Sequence, residues 1–401
     1  MLNRRTCSKK IRKSIFIEKT AVFLFFFLFI SLGMSNAPKT EEYYCGKILE
    51  YMKKSEYVKA GELIEKGLDK HPSSSELYTL SGALFLKRKE YERALDDLSK
   101  AVMLDKLNAK AVMYTGAVYH HLKDKRAVSF LEQAVSMDKN LKEAYPMLGM
   151  EYLRNGDIRK GSEILNRAAA EAFENGDMKT AEKLTTEVLR RDPSNAETFI
   201  NSGDILYFYG DKENAAKSWY FSIKNNPEKP EAYIRLGKLY LDESEYKACV
   251  DIIEKYTNKF PECSIPEVYY YRGNAYFSLG EYQKGKNILE EGIKKAPDFA
   301  ENYTLLGSYY IDKGDVEQGI TLIKEGLRIN PKDAKALLFA ASYEAGREKY
   351  KKAVRYIEQA EKADPEYSSV YTIGAEIYRK AGRYIKAWMY DRKAKQLRGF
   401  K

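Results

Sequence analysis

Proline, cysteine and histidine are scarce in this sequence, and the common catalytic motifs are absent. Eleven prolines in 401 residues, with no alternating Val/Ile/Thr-rich runs, favour helices over strands. His71, His120 and His121 are the histidines, and the adjacent pair points to different helix faces, which excludes a metal-binding pair. No GxSxG, HExxH, Walker or strand-preceded GxGxxG motif occurs. An enzyme is therefore the least favoured class, and we expect surface histidines, no metal and no cofactor.

The four cysteines do not form the even, spaced set of a disulfide framework. Cys7 lies in the basic head of the chain, and Cys45, Cys249 and Cys263 leave an odd number in the body. Cys249 and Cys263 could pair with each other. The alternative is a small buried thiol at Cys249 and a loop thiol at Cys263.

The net charge of +10 is concentrated in the first residues of the chain. Residues 1–37 hold seven Lys and Arg against one acid, whereas the rest holds 61 Lys and Arg against 57 acids. That nearly balanced remainder is typical of an ordinary solvated surface, and it shows no basic stripe. We therefore expect no nucleic-acid partner.

The basic head precedes an uncharged run, Ala21–Met34, that resembles a targeting segment. A secretory apolar region has about 7–15 residues and a membrane-spanning helix about 20, so the length of the run favours a signal peptide over residues 1–37. The alternative is an uncleaved signal anchor. In both cases the body is exported to the periplasm or cell envelope, soluble after cleavage or anchored by residues 21–34. Any membrane association rests on this segment alone.

Internal repetition organises the rest of the chain. Residues 268–297 and 302–331 align without gaps at a spacing of 34, which pairs Gly273 with Gly307 and Tyr276 with Tyr310. The pattern resembles the tetratricopeptide repeat, a helix-turn-helix unit of 34 residues, and about eleven copies run from Glu41 to Arg398. The resemblance implies an all-α fold, an α-solenoid that forms a right-handed superhelix.

Small residues at positions 8 and 20 of each repeat have a physical reason. They let the two helices of a hairpin approach closely, and the apolar positions around them lie on one helical face. Glycine at position 15 ends the first helix. The structural glycines at position 8 are Gly82, Gly116, Gly149, Gly203, Gly237, Gly273 and Gly307. Twenty of the 33 tyrosines fall at positions 4, 11 or 17, so we interpret them as packing residues rather than as an adhesive surface.

The repeat spacing breaks once. Gly156 and Gly176 occupy equivalent turns only 20 residues apart, which is one helix plus one turn. The segment between them must then serve two repeats, and we predict a phase break near residues 155–180. It divides an N-terminal block, residues 38–168 with repeats one to four, from a C-terminal block, residues 169–401 with repeats five to eleven. A bend or a change of groove direction is one interpretation, and a degenerate unit without consequence is the other.

The resemblance also implies where a ligand binds. In this family the first helix of each repeat lines a concave groove that takes protein or peptide partners. Tyr207, Tyr270 and Phe277 are the expected anchors, because the packing register does not require them. The groove positions we predict are Asp204, Tyr207, Ile234, Lys238, Tyr270, Asn274, Phe277 and Ser308. No repeat has Lys or Arg at position 5, so the family's carboxylate clamp for chaperone C-termini is not evident.

These patterns favour a non-enzymatic protein–protein interaction scaffold of the bacterial cell envelope. One alternative is a periplasmic assembly factor or chaperone for secreted or outer-membrane proteins. Another is an envelope protein that binds peptidoglycan or another glycan. The last hairpin is followed by no polar capping helix, so its end either docks a partner or a second copy, or caps itself. The oligomeric state stays open.

Overall fold

The computed structural model describes residues 40–399, and these residues form α-helices and turns with no strand. The predicted leader at residues 1–37 lies outside this range. None of the helices in residues 40–399 is long and apolar enough to cross a membrane. The helices are α1 (Glu41–Lys53), α2 (Tyr57–Lys70), α3 (Ser75–Lys87), α4 (Tyr91–Leu104), α5 (Ala109–His121), α6 (Arg126–Met137), α7 (Ala144–Arg154), α8 (Ile158–Glu174), α9 (Met178–Arg191), α10 (Ala196–Phe208), α11 (Lys212–Asn225), α12 (Pro230–Asp242), α13 (Tyr246–Lys259), α14 (Pro266–Ser278), α15 (Tyr282–Lys295), α16 (Ala300–Asp312), α17 (Val316–Ile329), α18 (Ala334–Gly346), α19 (Tyr350–Ala363), α20 (Ser368–Lys380) and α21 (Tyr384–Gly399).

The helices form consecutive hairpins, and each second helix also packs against the first helix of the next hairpin. Eleven hairpins would contain 22 helices; the described residues contain 21, because α8 belongs to two hairpins. The prediction of an all-α solenoid of helix-turn-helix units is therefore confirmed, and so is its phase break.

The chain divides into two compact units, one ending at Ala168 and one beginning at Ala169. In the first unit, Leu165 of α8 packs on Gly149 of α7, and Leu153 of α7 packs on Gly161 of α8. In the second unit, the C-terminal part of α8 contributes Ala172 to a small core with Ala181 and Ile205. Each part of α8 thus buries its own apolar residues within its own unit. Whether the break changes the direction of the binding groove stays a prediction.

Close approach between helices explains the small residues at positions 8 and 20. A Cβ atom on Gly82 would lie 2.5 Å from Cγ of Leu98, and one on Gly116 would lie 2.8 Å from Cγ of Leu131. Position 20 behaves likewise, since a Cβ on Gly319 would lie 2.6 Å from the carbonyl oxygen of Gly307. Such distances leave no room for a side chain, and they fix the spacing of the hairpin.

The turns between the two helices of a hairpin are built in two ways. Six of them place glycine in the left-handed region, as predicted for position 15, with φ between 73° at Gly382 and 89° at Gly314. Five others place a non-glycine residue there, with φ between 58° and 63°: Ser55, Lys89, Lys123, Ser244 and Glu348. The sequence pattern gave no sign of these, because the residue types are ordinary and only the turn geometry demands the conformation.

The tyrosines pack and also donate hydrogen bonds. At position 4, Tyr269 donates to the carbonyl oxygen of Cys263 at 2.6 Å and Tyr371 to that of Pro365 at 2.8 Å. At position 11, Tyr276 donates to Glu254 of the preceding second helix at 2.6 Å. Burial, followed by the neighbouring Glu254, raises the pKa of Tyr276, which keeps its hydroxyl protonated as a donor.

The cysteines of the described residues are free thiols. Cys249 is fully buried in the core of the second unit, and Cys263 is 8% exposed in the loop between α13 and α14. The backbone amide of Ile265 donates to the sulfur of Cys263 at 3.3 Å. Burial raises the pKa of Cys249 to about 12, so that thiol stays protonated and unreactive.

Candidate functional site

First helices line the inner surface of each unit. In the second unit α12 contacts α14, α14 contacts α16 and α18 contacts α20, in addition to their own hairpin partners. Within the described residues, no comparable contact joins the second helices of successive hairpins. Because first helices lie closer together than second helices, their exposed faces form the concave side on which the predicted groove residues sit.

A pocket of about 270 Å³ opens on this side in the second unit, between first helices α8, α10 and α12. Phe173 and Ile200 supply its apolar part. Polar and charged side chains surround them, and those that matter for binding are Asn201, Asp204, Lys229 and Arg235. Asp204 is the only predicted groove residue among those that line it.

Asp204 is held in place by two partners. Arg235 donates to its carboxylate from Nε at 2.9 Å and from Nη2 at 3.1 Å, and the buried Trp219 donates from Nε1 at 3.2 Å. Planar guanidinium and carboxylate groups match in such a two-bond arrangement. Asp204 therefore connects α10 to α11 and to α12, and it places one charge of each sign at the wall of the pocket.

A second ion pair lies at the rim of the same pocket. Lys229 approaches the carboxylate of Glu197 at 3.2 Å, and both side chains are partly exposed. Exposed pairs of this kind contribute little to stability, about 0–1 kcal/mol. Their charges are consequently free to exchange partners with an incoming peptide at small cost.

Two larger pockets of the second unit lie at the turn edges of hairpins rather than on the concave side. One, of about 620 Å³, is lined by Lys349, Lys352 and Arg383 around the ends of α19 to α21. The other, of about 400 Å³, is apolar and lies beside Val316 and Phe339. Size alone would favour these, but neither combines apolar and polar groups between successive first helices.

The predicted aromatic anchors are packed against their neighbours, so the premise that packing does not require them is wrong. Tyr207 lies 5.8 Å from the ring of Trp219. Phe277 stacks on Tyr309 at 4.8 Å and fills the space above Gly285. Close packing limits how far these rings can serve as separate anchors, and their role in binding stays a prediction.

The remaining groove predictions fall in different surroundings. Tyr270 is largely buried beside Phe299, and burial raises its pKa. Ile234 is half-buried against the core of the unit. Ser308 donates to the carbonyl oxygen of Leu305 at 2.8 Å. Asn274 is half-buried and Lys238 is exposed. They lie along successive first helices, outside the pocket on α8, α10 and α12.

In the first unit a buried carboxylate corrects the expectation for the histidines. Glu151 of α7 is 1% exposed, and both Nδ1 of His120 and Nη1 of Arg154 lie 2.5 Å from its Oε1. His120 is therefore a partner in a polar cluster rather than a surface histidine. The signal that sequence reasoning missed was an acid at repeat position 10, where Leu84, Val118 and Ile205 are apolar.

No group of three or more His, Cys, Asp or Glu side chains suited to a metal ion is present in residues 40–399. The arrangement of the second unit is a binding surface of helical hairpins with a mixed polar and apolar pocket. This defines the class of protein as an α-solenoid of paired helices.

Comparison with known proteins identifies the family. Residues 266–299 and 300–333 each match a family model described as tetratricopeptide repeat. The chain belongs to the tetratricopeptide-repeat proteins, and such repeats mark it as a protein–protein interaction scaffold.

Several curated relatives match about half of the chain. "DnaJ homolog subfamily C member 7" of Homo sapiens is 24% identical over 239 residues, 56% of this chain and 47% of that protein. "TPR repeat-containing protein MJ1428" of Methanocaldococcus jannaschii is 23% identical over 251 residues, 54% of this chain and 44% of that protein. "Hsp70-Hsp90 organizing protein 1" of Glycine max is 26% identical over 178 residues, 40% of this chain and 31% of that protein. The chain thus spans about half or less of the length of these relatives.

Solved structures with a similar arrangement of helices include the APC/C hetero-tetramer Cut9-Hcn1. It has a TM-score of 0.46 and 15% identity, over 89% of this chain and 87% of that chain. MamA from Desulfovibrio magneticus RS-1 has a TM-score of 0.37 and 19% identity, over 43% of this chain and 96% of that chain.

Proposed function

We propose that this protein is a non-enzymatic interaction scaffold of the bacterial cell envelope that binds a peptide segment of a partner protein in its concave groove. The observation that supports this function is the pocket between α8, α10 and α12, which combines an apolar floor with paired charges. A groove of several kinds of contact suits an extended peptide, whose side chains and backbone alternate in their needs.

Binding would follow from the chemistry of the pocket. An apolar side chain of the peptide covers Phe173 and Ile200, and Ile200 is only 7% exposed. Lys229 and Arg235 donate to peptide carbonyl or carboxylate groups. The carboxylates of Glu197 and Glu231 accept from peptide amides or cations. The two existing ion pairs keep these groups in place before binding, which reduces the ordering cost.

The envelope location is supported by the sequence of residues 1–37, a basic head followed by an apolar run. An exported scaffold meets partners that are themselves exported or anchored in a membrane. The finding that would contradict this location is a chain that stays in the cytosolic fraction and resists protease added outside the cytoplasmic membrane.

A charge reversal in the groove tests the binding function. Lys229→Glu removes the pair with Glu197 and adds a negative charge to the pocket rim. Lys224→Glu makes the same change on second helix α11, where Lys224 is exposed. The purified variants are immobilised and incubated with envelope extract, and the retained proteins are quantified by mass spectrometry.

We expect a defined set of proteins to be retained by the original chain and by Lys224→Glu and to be depleted at least fivefold by Lys229→Glu, about 1 kcal/mol. Identical retention by all three chains would show that the pocket is not the binding site. Circular dichroism confirms that each variant is folded before the comparison.

A further inference from the structure

The last helix of the second unit exposes a continuous apolar and basic face. Tyr384, Ile385, Trp388 and Met389 are between 53% and 80% exposed. Arg392 and Lys395 follow one and two turns beyond Trp388 on the same face. We call the surface of these six residues the terminal face. The guanidinium of Arg392 lies 5.6 Å from the centre of the Trp388 ring.

In the preceding hairpin the corresponding face binds the next first helix. Val354, 34 residues before Trp388, is 4% exposed in a core that includes Ile377 and Tyr378 of α20. Glu358, 34 residues before Arg392, accepts a hydrogen bond from the hydroxyl of Tyr378 at 3.2 Å. This repeat position of a second helix is therefore a docking position for a helix.

The same contact recurs at other junctions. Glu290 accepts from Tyr310 at 3.3 Å and Glu254 accepts from Tyr276 at 2.6 Å. Within the first unit, the hydroxyl of Tyr152 donates to Glu132. In each case the glutamate stands at position 25 of one repeat and the tyrosine at position 11 of the next. The array thus uses one rule, a carboxylate on the second helix and a hydroxyl donor on the arriving helix.

The terminal face keeps the apolar part of this rule and reverses its charge. Trp388 replaces Val354, Arg392 replaces Glu358, and Lys395 replaces Glu361, which accepts from Tyr390 at 2.5 Å. Guanidinium and ammonium groups donate and cannot accept. A helix that docks here must therefore supply acceptors where the internal helices supply tyrosine.

The surrounding charge points the same way. Residues 368–399 contain eight Lys and Arg against two acids. Those two acids are already engaged, because Asp391 pairs with Arg379 at 2.8 Å and Glu376 pairs with Lys380 at 2.8 Å. The hairpin consequently favours an acidic partner, by electrostatic complementarity.

We propose that the terminal face binds an acidic amphipathic helix of a partner protein, seated where the first helix of a further hairpin would lie. An Asp or Glu of that helix takes the register of Tyr378 and pairs with Arg392, and its apolar stripe covers Trp388, Ile385 and Met389. Such a helix docks by apolar residues at i, i+3, i+4 and i+7 spacing. This surface is separate from the concave groove.

A second copy of this chain is a poorer match. Two terminal faces brought together would oppose their own excess of positive charge. A head-to-tail arrangement would bring α1, whose position 11 is Tyr51. That hydroxyl suits the glutamate of an internal second helix rather than Arg392.

A peptide probe tests the proposal. The acidic probe copies residues 367–381, the helix that docks on α19, with Tyr378→Glu, Arg379→Ala and Lys380→Ala. A second probe has lysine instead of glutamate at position 378. Both are fluorescently labelled and titrated with the full chain, with Arg392→Glu, and with Arg355→Glu, a control on the exposed side of α19.

We expect saturable fluorescence anisotropy for the acidic probe with the full chain and with Arg355→Glu, and a roughly tenfold weaker affinity with Arg392→Glu. The lysine probe should bind Arg392→Glu more tightly than it binds the original chain, which a merely misfolded variant would not do. Equal affinity of the acidic probe for Arg392→Glu and the original chain overturns the proposal, as does a lack of saturable binding.

Two controls assign the face to another occupant if the proposal fails. Analytical ultracentrifugation that shows a dimer lost on Trp388→Glu would assign it to a second copy. Sedimentation with phosphatidylglycerol-containing vesicles that depends on Trp388 and Arg392, without probe binding, would assign it to an anionic lipid surface.

Discussion

At the scale of residues, the contacts of small side chains set the spacing of every hairpin. Gly307 of α16 faces Gly319 of α17 so closely that each would place a Cβ against the other's backbone oxygen, at 2.8 and 2.6 Å. A larger residue must push the helices apart, because backbone atoms cannot rotate away as a flexible side chain can. The glycines at positions 8 and 20 are thus constraints of packing rather than of backbone conformation.

Gly307→Leu is the sharpest test of this register. A side chain there would also meet Cδ1 of Ile323 at 3.0 Å, and overpacking of this kind costs about 1–3 kcal/mol or more. We expect a lower thermal unfolding midpoint by differential scanning calorimetry. Gly46→Leu is the matched control, because a Cβ on Gly46 of α1 meets nothing within 4 Å. Equal midpoints for the two variants would refute the register.

At the scale of helices, the junction between hairpins is stabilised by apolar burial and by one repeated hydrogen bond. Tyr276 of α14 is 8% exposed, and its hydroxyl donates to Glu254 of α13. Arg272 donates from Nε to the same oxygen of Glu254 at 3.0 Å. The carboxylate thereby orders two side chains of the arriving helix, which fixes its rotation on the preceding hairpin.

Tyr276→Phe removes this hydroxyl and keeps the ring. We expect a loss of about 1 kcal/mol in the free energy of unfolding, since the acceptor Glu254 keeps Arg272 as a partner. A double-mutant cycle with Glu254→Gln, measured by urea denaturation, should show a coupling energy of the same order. Tyr282→Phe, an exposed ring at 44%, is the control. Additive losses in the cycle would mean that the hydrogen bond does not couple the two helices.

At the scale of the whole molecule, the chain consists of two compact units that share the length of α8 between them. Each unit has its own buried clusters and its own inner surface of first helices. The candidate groove pocket and the terminal face both lie in the second unit. The polar cluster of His120, Glu151 and Arg154 lies in the first unit.

The repeat period made most of the fold predictable. Spacing of 34 residues sets which positions are buried, and the interval of 20 between Gly156 and Gly176 sets the shared helix. These properties are local or periodic, so one sequence suffices. The five turns with a non-glycine residue at positive φ were not predictable, because nothing in those residue types requires it.

The candidate site was predictable only in part. Periodicity places Asp204 on the inner face, but it does not show that Arg235, 31 residues later, holds its carboxylate. Nor does it show that Phe277 lies over Gly285 and on Tyr309. Both depend on how successive hairpins are rotated on each other, which side-chain contacts across the junctions decide and residue spacing does not.

The central claim is that the concave side of the second unit holds a partner. The most direct measurement is photo-crosslinking in intact cells, with a photoreactive amino acid at Asn201 in the pocket and, in a separate strain, at Lys224 on α11. The account predicts that position 201 crosslinks to a defined exported protein identified by mass spectrometry, and that position 224 does not. Equal crosslinking from both positions, or none from position 201 in a folded and exported chain, would contradict it.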